Sequence, residues 1–350
     1  MFLALIVITP SQSLSQVVRY NAVELLGASD GAQAARALNS AGDVAGRFGS
    51  FLATDTQAII WSFTSKRSTF LATLFRREYS SAAAMNDSGE VVGTSNSDTS
   101  IVPWLWTPRG GMQLIPLLPG HNGGQAFGIN KKGEVVGYAT GPGGARAFLW
   151  TRRDVQDLGV LPGGSHSRAL AVNDEGDVVG TSDSPDGERA FLWTTVSGLR
   201  SLGTLAGYTS SEAMAINNAG DVVGYATGSK GVRAFLWTRT TGMQDLGALP
   251  GGTSSRALAI SNSGAVVGSS TTLSGDRAFL WTWEAGLKDL NAVVPVNLAV
   301  VFVEAHAINS KGQILVIGTD RRQSLASSGP ATDDHEHGDD AHKAHNAYSF

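Results

Sequence analysis

Hydrophobic and polar positions alternate in short runs along most of this chain. In residues 240–283 the runs GMQDLGAL and SRALAIS have a period of two residues, and RAFLWTW is rich in aromatic and branched residues. Gly, Pro, Ser and Asn separate the runs, and no run has the i, i+3, i+4 apolar stripe of a helix over ten residues. The pattern predicts units of four short antiparallel strands.

The unit repeats with a step of about 44 residues, within the range of propeller blades. The Trp that closes each AFLW-like run recurs at Trp61, Trp106, Trp150, Trp193, Trp237 and Trp281. The Gly of an N-x-x-G turn recurs at Gly42, Gly89, Gly133, Gly176, Gly220, Gly264 and Gly312. Seven turns predict an all-β, seven-bladed β-propeller in which the recurring aromatic residues form the core between blades. The alternative is a β-helix or solenoid, because 44 residues could also make two coils.

Loop lengths predict how the strands are shared between blades. The loop after AFLWT is short, whereas the LPGG segment suits a crossing between sheets. Each blade is therefore expected to take strands two, three and four of one unit and strand one of the next. The strand around residues 17–26 is expected to complete the last blade, beside Tyr348 in the final strand Ala347–Phe350.

The repeated motifs resemble a known family. The run GMQDLGALPGGTSSRALAISNSGAVVGSS, followed by RAFLW, is similar to the bacterial extracellular repeats called HAF, whose units read D-L-G-x-L-G-G, A-x-A-I-N-x-x-G-x-V-V-G and H-A-F-L-W. The resemblance covers about residues 17–318 and is strongest over 111–281. It implies secretion and a propeller-like β architecture, and it carries no catalytic residues. The chain departs from the family where Arg replaces the His before AFLW, at Arg146, Arg189, Arg233 and Arg277.

The two ends of the chain differ from the repeats. Residues 1–16 contain an apolar run and a small-x-small pattern, which favour a signal-peptide remnant, although the basic segment is missing and a first strand is the alternative. Residues 17–350 are expected to form one domain. A polar, Asp- and His-rich insertion at about 319–346 is expected to be a solvated loop.

Composition limits the classes of partner. The net charge of −4 and the pI near 6.0 give no footprint for nucleic acid. No run reaches the 18 apolar residues of a transmembrane helix. The 43 Gly and the absence of Cys indicate a fold shaped by turns and not by disulfides. The HAF resemblance implies a secreted or cell-surface bacterial protein, and a monomer is expected.

Two groups of residues are candidate binding sites. One position before the A-x-A-I strand varies in charge between repeats that are otherwise regular, which marks either free surface or a face fitted to a partner. We name these six residues the variable row: Ser81, Gln125, Arg168, Glu212, Arg256 and Glu304. The second group, His335, His337, His342 and His345, could bind Zn²⁺ or Ni²⁺ weakly, with a plain acidic loop as the alternative. No resident cofactor is expected.

Other motifs favour structural roles. The repeated Arg residues before AFLW are expected to stack on Trp or to pair with Asp157, Asp245 and Asp289. The segment Asn173–Asp177 has the spacing of a calcium loop, but its sister turns lack carboxylates, so a structural turn is favoured. H-E-x-x-H and P-loop motifs are absent from the sequence.

The sequence therefore predicts a non-catalytic binding scaffold with a carbohydrate, protein or envelope ligand. A propeller enzyme acting on polysaccharide, a glycosidase or a lyase, is the alternative, and a structural spacer is the third possibility. An enzyme would need carboxylates or another acid–base pair converging at one mouth of the channel.

Overall fold

The computed structural model describes residues 3–11, 19–26, 32–49, 56–71, 74, 79–97, 99–294 and 300–320. These residues form seven antiparallel four-stranded sheets, and their only helix is a single 3₁₀ turn at Leu290–Ala292. The predicted seven-bladed β-propeller is confirmed. Among these residues there is no helix with the length and hydropathy needed to cross a membrane.

Blades 1 to 6 follow one another along the chain, each with its strands in sequence order. Blade 1 contains β3 Ala32–Leu38, β4 Val44–Phe48, β5 Gln57–Trp61 and β6 Ser68–Phe70. Blade 2 contains β7 Ser80–Met85, β8 Val91–Asn96, β9 Ile101–Thr107 and β10 Gly111–Leu114. Blade 3 contains β11 Gly123–Ile129, β12 Val135–Gly141, β13 Gly144–Trp150 and β14 Val155–Asp157. Blade 4 contains β15 Ser167–Val172, β16 Val178–Ser182, β17 Arg189–Thr194 and β18 Gly198–Gly203. Blade 5 contains β19 Ser210–Ile216, β20 Val222–Gly228, β21 Gly231–Thr238 and β22 Gly242–Gly247. Blade 6 contains β23 Ser255–Ile260, β24 Val266–Thr272, β25 Gly275–Thr282 and β26 Gly286–Asp289. Each blade takes its fourth strand from the next sequence unit, as predicted.

Blade 7 joins the two ends of the described chain. Its strands are β27 Val300–Ile308 and β28 Ile314–Asp320, followed by β1 Leu3–Ser11 and β2 Arg19–Leu26 in the order β27-β28-β1-β2. The predicted outer strand near residues 17–26 is therefore present, but its neighbour is β1. That place was predicted for Ala347–Phe350, which lie outside the described residues.

The first residues are part of this sheet because they repeat the register of an AFLW strand. Ile8 faces Ile314 just as Trp281 faces the equivalent Val266. Ile6, Val7 and Ile8 are almost completely buried. The sequence favoured a signal-peptide remnant over a first strand at residues 1–16, and the structure shows the strand at Leu3–Ser11.

The first strands of the blades form the innermost ring. Each contacts the first strand of the next blade, and β27 contacts β3, which closes the circle. Since the first strands run in one direction, all the hairpins between first and second strands lie on one face, which we call the turn face. The crossings between blades and the hairpins between second and third strands lie on the opposite crossing face.

The core lies between neighbouring blades, as the recurring aromatic residues predict. The Phe of the third strand is 0% exposed at Phe148, Phe191, Phe235 and Phe279. The closing Trp is buried in four of the six repeats and half-buried at Trp106 and Trp237. This packing covers both faces of each sheet, so a first-strand side chain that stays exposed must face the central channel.

Buried amides, which we call the amide ring, link the turns of blades 2, 3, 4, 5 and 7 to the turn of the next blade on the turn face. In blade 4, Asn173 Oδ1 accepts the N–H groups of Glu175 and Asp177 at 3.1 and 2.8 Å, and its Nδ2 donates to the carbonyl of Asn217 in blade 5 at 3.1 Å. The same link between blades is made by Asn86, Asn130, Asn217 and Asn309. These turns therefore fix the distance between neighbouring first strands.

Buried serines make a second link at the start of the first strands. Ser211 Oγ accepts the backbone N–H of Ala190 in the preceding blade at 2.9 Å and donates to the carbonyl of Gly203 at 2.6 Å. Ser167 and Ser255 make the same pair of bonds. The first strand is thus fixed at both ends by bonds to backbone atoms.

Candidate functional site

The variable row lies around the channel at its crossing-face mouth. Each member is on a first strand, directly before the Ala that packs between blades, and the strand then runs away from the crossing face towards its Asn turn. Arg168 and Arg256 are exposed, and the other members, Ser81, Gln125, Glu212 and Glu304, are half-buried. The prediction that this position is surface or a partner face therefore becomes more specific, because the surface in question is the channel mouth.

A bulge brings a second set of side chains to the channel. Every first strand carries one extra residue between the two Ala-like positions of its A-x-A segment, and a bulge redirects the side chain that it inserts. The bulged residues are Arg36, Ala83, Phe127, Leu170, Met214, Leu258 and His306. Arg36 is exposed and the others are half-buried. The channel below the mouth is therefore mostly apolar, with two basic side chains in blades 1 and 7.

The glycine that ends the V-V-G motif lies in close contact with the backbone of the first strand. A Cβ at Gly180 would overlap the carbonyl oxygen of Arg168, and a Cβ at Gly224 would overlap that of Glu212. The backbone of the variable row thus rests directly on the second strand, which no side chain at that position would allow. The motif serves the geometry of the mouth as well as that of the turn.

Glu212 is held beneath the mouth by Tyr225 on the neighbouring strand. The Tyr225 hydroxyl donates to Glu212 Oε2 at 2.5 Å, within one cross-strand pair. Burial raises the pKa of Glu212, and the charge of Glu188 adds to this, while the Tyr225 bond and the charges of Arg168 and Arg256 oppose it. Burial and the Glu212 carboxylate also raise the pKa of Tyr225, so this phenol remains a donor.

The second carboxylate of the mouth, Glu304, has surroundings that shift its pKa in the opposite direction to that of Glu212. Glu304 Oε1 lies 2.7 Å from Nε2 of the bulged His306. Burial alone would raise the pKa of Glu304, but the His306 contact and the charges of His306, Arg36 and Arg256 outweigh it and lower this pKa. Glu304 is therefore the carboxylate that stays ionised, and Glu212 is the one that takes up a proton more readily.

Arg168 and Arg256 lie over aromatic rings of the preceding blade. The guanidinium carbon of Arg168 is 5.2 Å from the ring centre of Tyr138, and that of Arg256 is 5.3 Å from the ring centre of Tyr225. Neither makes an ion pair or a side-chain hydrogen bond within the part of the chain that the structure describes. A stacked guanidinium keeps its edge donors free, so both can receive a planar anion.

The Arg residues before AFLW have partners within the protein, and two of them pair with the Asp residues that the sequence predicted. Arg146 pairs with Asp157 at 3.1 Å and Arg233 with Asp245 at 3.8 Å. Arg189 instead donates to backbone carbonyls, including that of Thr209 at 2.7 Å. The expected pairing of an Arg with Asp289 is replaced by a cap, because the Asp289 carboxylate accepts the N–H of Asn291 at the 3₁₀ turn.

The two predicted metal features have different outcomes. The calcium-like spacing at Asn173 is a structural turn, in which the Asn side chain bonds the backbone. His335, His337, His342 and His345 lie outside the described residues, so their metal binding stays a prediction. Within the described ranges, no group of three or more His, Asp or Glu side chains is placed to hold a metal ion.

Sequence reasoning missed the residues that complete the mouth. Arg36 and His306 occupy the x of A-x-A, and Tyr138 and Tyr225 follow V-V-G on the second strand. The available signal was the variation of these two positions between repeats, which equals that of the variable row. It was overlooked because a regular strand would turn the x residue between blades, away from the channel.

Comparison with known proteins supports the fold. The sequence matches no protein-family model and none of the curated proteins. Among solved structures, puromycin hydrolase is similar with a TM-score of 0.55 and 11% identity over 83% of this chain, which spans 52% of the hydrolase. The β-propeller domain of the trilobed protease from Pyrococcus furiosus has a TM-score of 0.52 and 7% identity, over 83% of this chain and 94% of that domain. Virginiamycin B lyase from Staphylococcus aureus has a TM-score of 0.51 and 12% identity, over 91% and 99% of the two chains. At these identities the similarity establishes a β-propeller fold and no activity.

Proposed function

We infer that this chain is a non-catalytic binding propeller of the HAF-repeat type, secreted or at the cell surface, which takes its ligand at the crossing-face mouth of the channel. The observation that carries the proposal is the contrast between a regular frame and an irregular mouth. Ser and Asn side chains repeat the same bonds from blade to blade, whereas the variable row changes in size and charge. Variation confined to one concave, polar place is typical of a site fitted to a ligand.

The chemistry of the mouth favours binding over catalysis. The raised pKa of Tyr225 opposes its use as a base. Glu304 is engaged by His306, and Glu212 by Tyr225. These contacts hold the carboxylates in place and leave Arg168 and Arg256 as the donors that a ligand meets first. The HAF resemblance supports an extracellular place of action, with a glycan or an extracellular protein as the partner.

One observation favours a second candidate function, an enzyme that acts on polysaccharide. The mouth holds two carboxylates whose surroundings move their pKa values in opposite directions, upward for Glu212 and downward for Glu304. This is the arrangement in which one acid donates a proton while the other stays ionised. A glycosidase or a lyase would use this pair.

A glycan array, followed by product analysis of every glycan bound, tests both candidates. The binding propeller is expected to retain glycans that depend on the mouth and to release them unchanged. The control is the double variant Arg168→Gln, Arg256→Gln, which should lose the signal while the frame stays folded by circular dichroism. A cleaved product from the wild-type protein that disappears in Glu212→Gln would replace the binding function with the enzyme.

A further inference from the structure

We propose that the crossing-face mouth recognises the carboxylates of an acidic sugar, the uronate units of an oligosaccharide, through the guanidinium groups of Arg168 and Arg256. This inference rests on the proposed function and names the ligand class of that same site. The two residues belong to blades 4 and 6, on either side of Glu212 in blade 5. Each guanidinium lies over a tyrosine ring of the preceding blade, 5.2 Å from the ring centre of Tyr138 for Arg168 and 5.3 Å from that of Tyr225 for Arg256.

The guanidinium N–H groups of Arg168 and Arg256 are free to bind a ligand. Arg146, Arg152, Arg233 and Arg239 each have a carboxylate partner within 3.8 Å, although all of them lie outside the mouth. Arg168 and Arg256 are exposed and have no such partner among the described residues. An unpaired guanidinium held in place by an aromatic ring is preorganised for a planar carboxylate, which accepts two parallel N–H bonds.

The exposed charge at the mouth is positive. The chain as a whole carries −4, yet the exposed charged side chains of the innermost strands are Arg36, Arg168 and Arg256. Glu212 and Glu304 lie half-buried beside them. An anion approaching the mouth therefore meets positive charge first, against the net charge of the protein.

A sugar acid fits this surface better than an acidic peptide does. The variable row at the rim contains only polar and charged side chains, and the apolar bulged residues lie half-buried deeper in the channel, so the rim offers no apolar contact to the side chains of a peptide. Gln125, Ser81 and the backbone at the channel edge instead offer hydrogen bonds of the kind that sugar hydroxyls use. We therefore assign the carboxylate to a sugar.

Glu212 makes the affinity depend on pH. While ionised, the Glu212 carboxylate lowers the positive potential that an anion meets at the mouth, and once protonated it no longer does so. The charged and titratable groups that act on it are Tyr225 on β20, Arg168 on β15, Arg256 on β23 and Glu188 beside β17. Because burial raises the Glu212 pKa while a uronate has a pKa near ~3.5, affinity should rise as the pH falls from neutral into the mildly acidic range, where the uronate is still charged.

Titration calorimetry with trigalacturonate tests the assignment, with the neutral galactotriose as its matched control. The acidic trisaccharide is expected to bind and the neutral one is not. Arg168→Gln and Arg256→Gln should each weaken binding about tenfold or more, as loss of a charged hydrogen-bonded pair does. Arg277→Gln is the matched variant, because this Arg lies in blade 6 outside the mouth, and it should change nothing.

The pH arm uses Glu212→Gln, which keeps an acceptor for Tyr225. It should bind trigalacturonate more tightly than the wild type does at neutral pH, and its affinity should vary little with pH. An unchanged pH dependence in this variant would overturn the role of Glu212.

Three results would overturn the ligand class itself. These are equal binding of the two trisaccharides, binding of hexaglutamate at least as tight as that of trigalacturonate, and no effect of either Arg variant. If a neutral glycan from the array binds at the mouth instead, the binding function stands and the carboxylate assignment fails. If trigalacturonate binds and is cleaved to an unsaturated product, the assignment stands and the non-catalytic function fails.

Discussion

Replacing Asn173 by Ala should show how strongly the amide ring on the turn face stabilises the propeller. The side chain is 4% exposed and makes three hydrogen bonds, two within its own turn and one to the carbonyl of Asn217 in the next blade. Each bond contributes about 1 kcal/mol, and a buried group left without a partner costs about 1–3 kcal/mol. Water can reach the outer turn, so we expect a total loss of about 3–5 kcal/mol in the free energy of unfolding.

Two further variants separate the parts of this loss. Blade 6 has Ser261 at the equivalent position, where the hydroxyl accepts the N–H of Ala265 without a link to the next blade. Asn173→Ser should therefore cost only about 1–2 kcal/mol. Asn262→Ala is the matched control, since this exposed Asn accepts a single bond from Asn218, and it should cost less than about 1 kcal/mol.

Urea unfolding followed by circular dichroism and by Trp fluorescence measures these differences, and coincident transitions justify a single free energy. The expected order of loss is Asn173→Ala, then Asn173→Ser, then Asn262→Ala. Equal losses for the Ala and Ser variants would show that the link between blades contributes nothing. A loss below about 1 kcal/mol for Asn173→Ala would refute the amide ring as a stabilising feature.

Four other predictions concern the core, blade 7, Asp183 and the His-rich insertion. Phe235→Ala should lower the free energy of unfolding by about 3–5 kcal/mol and Trp237→Ala by less, because the Phe is fully buried and the Trp half-buried; the reverse order in urea titrations would contradict this packing. Deleting residues 1–30 removes two strands of blade 7 and should lower the melting temperature sharply, whereas an unchanged value would rule out the shared blade. Burial alone would raise the pKa of Asp183, but N–H and hydroxyl donors outweigh it and lower this pKa to about 2. The ionised carboxylate therefore stabilises the fold above about pH 4, and this contribution disappears as the pH falls towards about 2. The stability difference between wild type and Asp183→Asn should therefore shrink in acid, and a constant difference would contradict the shift. Deleting residues 327–345 should abolish weak, pH-dependent Zn²⁺ or Ni²⁺ binding and leave the melting temperature unchanged, and calorimetry that detects no heat with the intact protein would end that idea.

The repeat made the fold predictable in unusual detail. One unit contains the strand runs, the turn glycines and the loop lengths, so the number of blades and the sharing of strands followed from comparing copies. The last blade was harder to predict, because residues 3–11 match an AFLW strand only through hydrophobic character. Ile8 fills the place of a Trp, and an apolar run at the start of a chain is equally typical of a signal sequence.

The mouth was only half predictable. The variable row was found because its members differ where the rest of the repeat is constant. Neither its position on the channel nor the role of His306 could be obtained from a pattern of period two, because the bulge moves one residue out of that period. The pairing of Glu212 with Tyr225 depends on strand register, and the stacking of Arg256 on the same Tyr depends on the spacing of two blades, which one unit does not contain.

The serine and asparagine links have a consequence for how such a protein can change over time. Because they bond backbone atoms of the neighbouring blade, they do not depend on which side chains occupy the variable row or the bulge beside it. Two positions in each blade can therefore mutate without loosening the ring. Recognition and stability are assigned to different residues, so selection can rework the mouth one blade at a time while the closed scaffold persists.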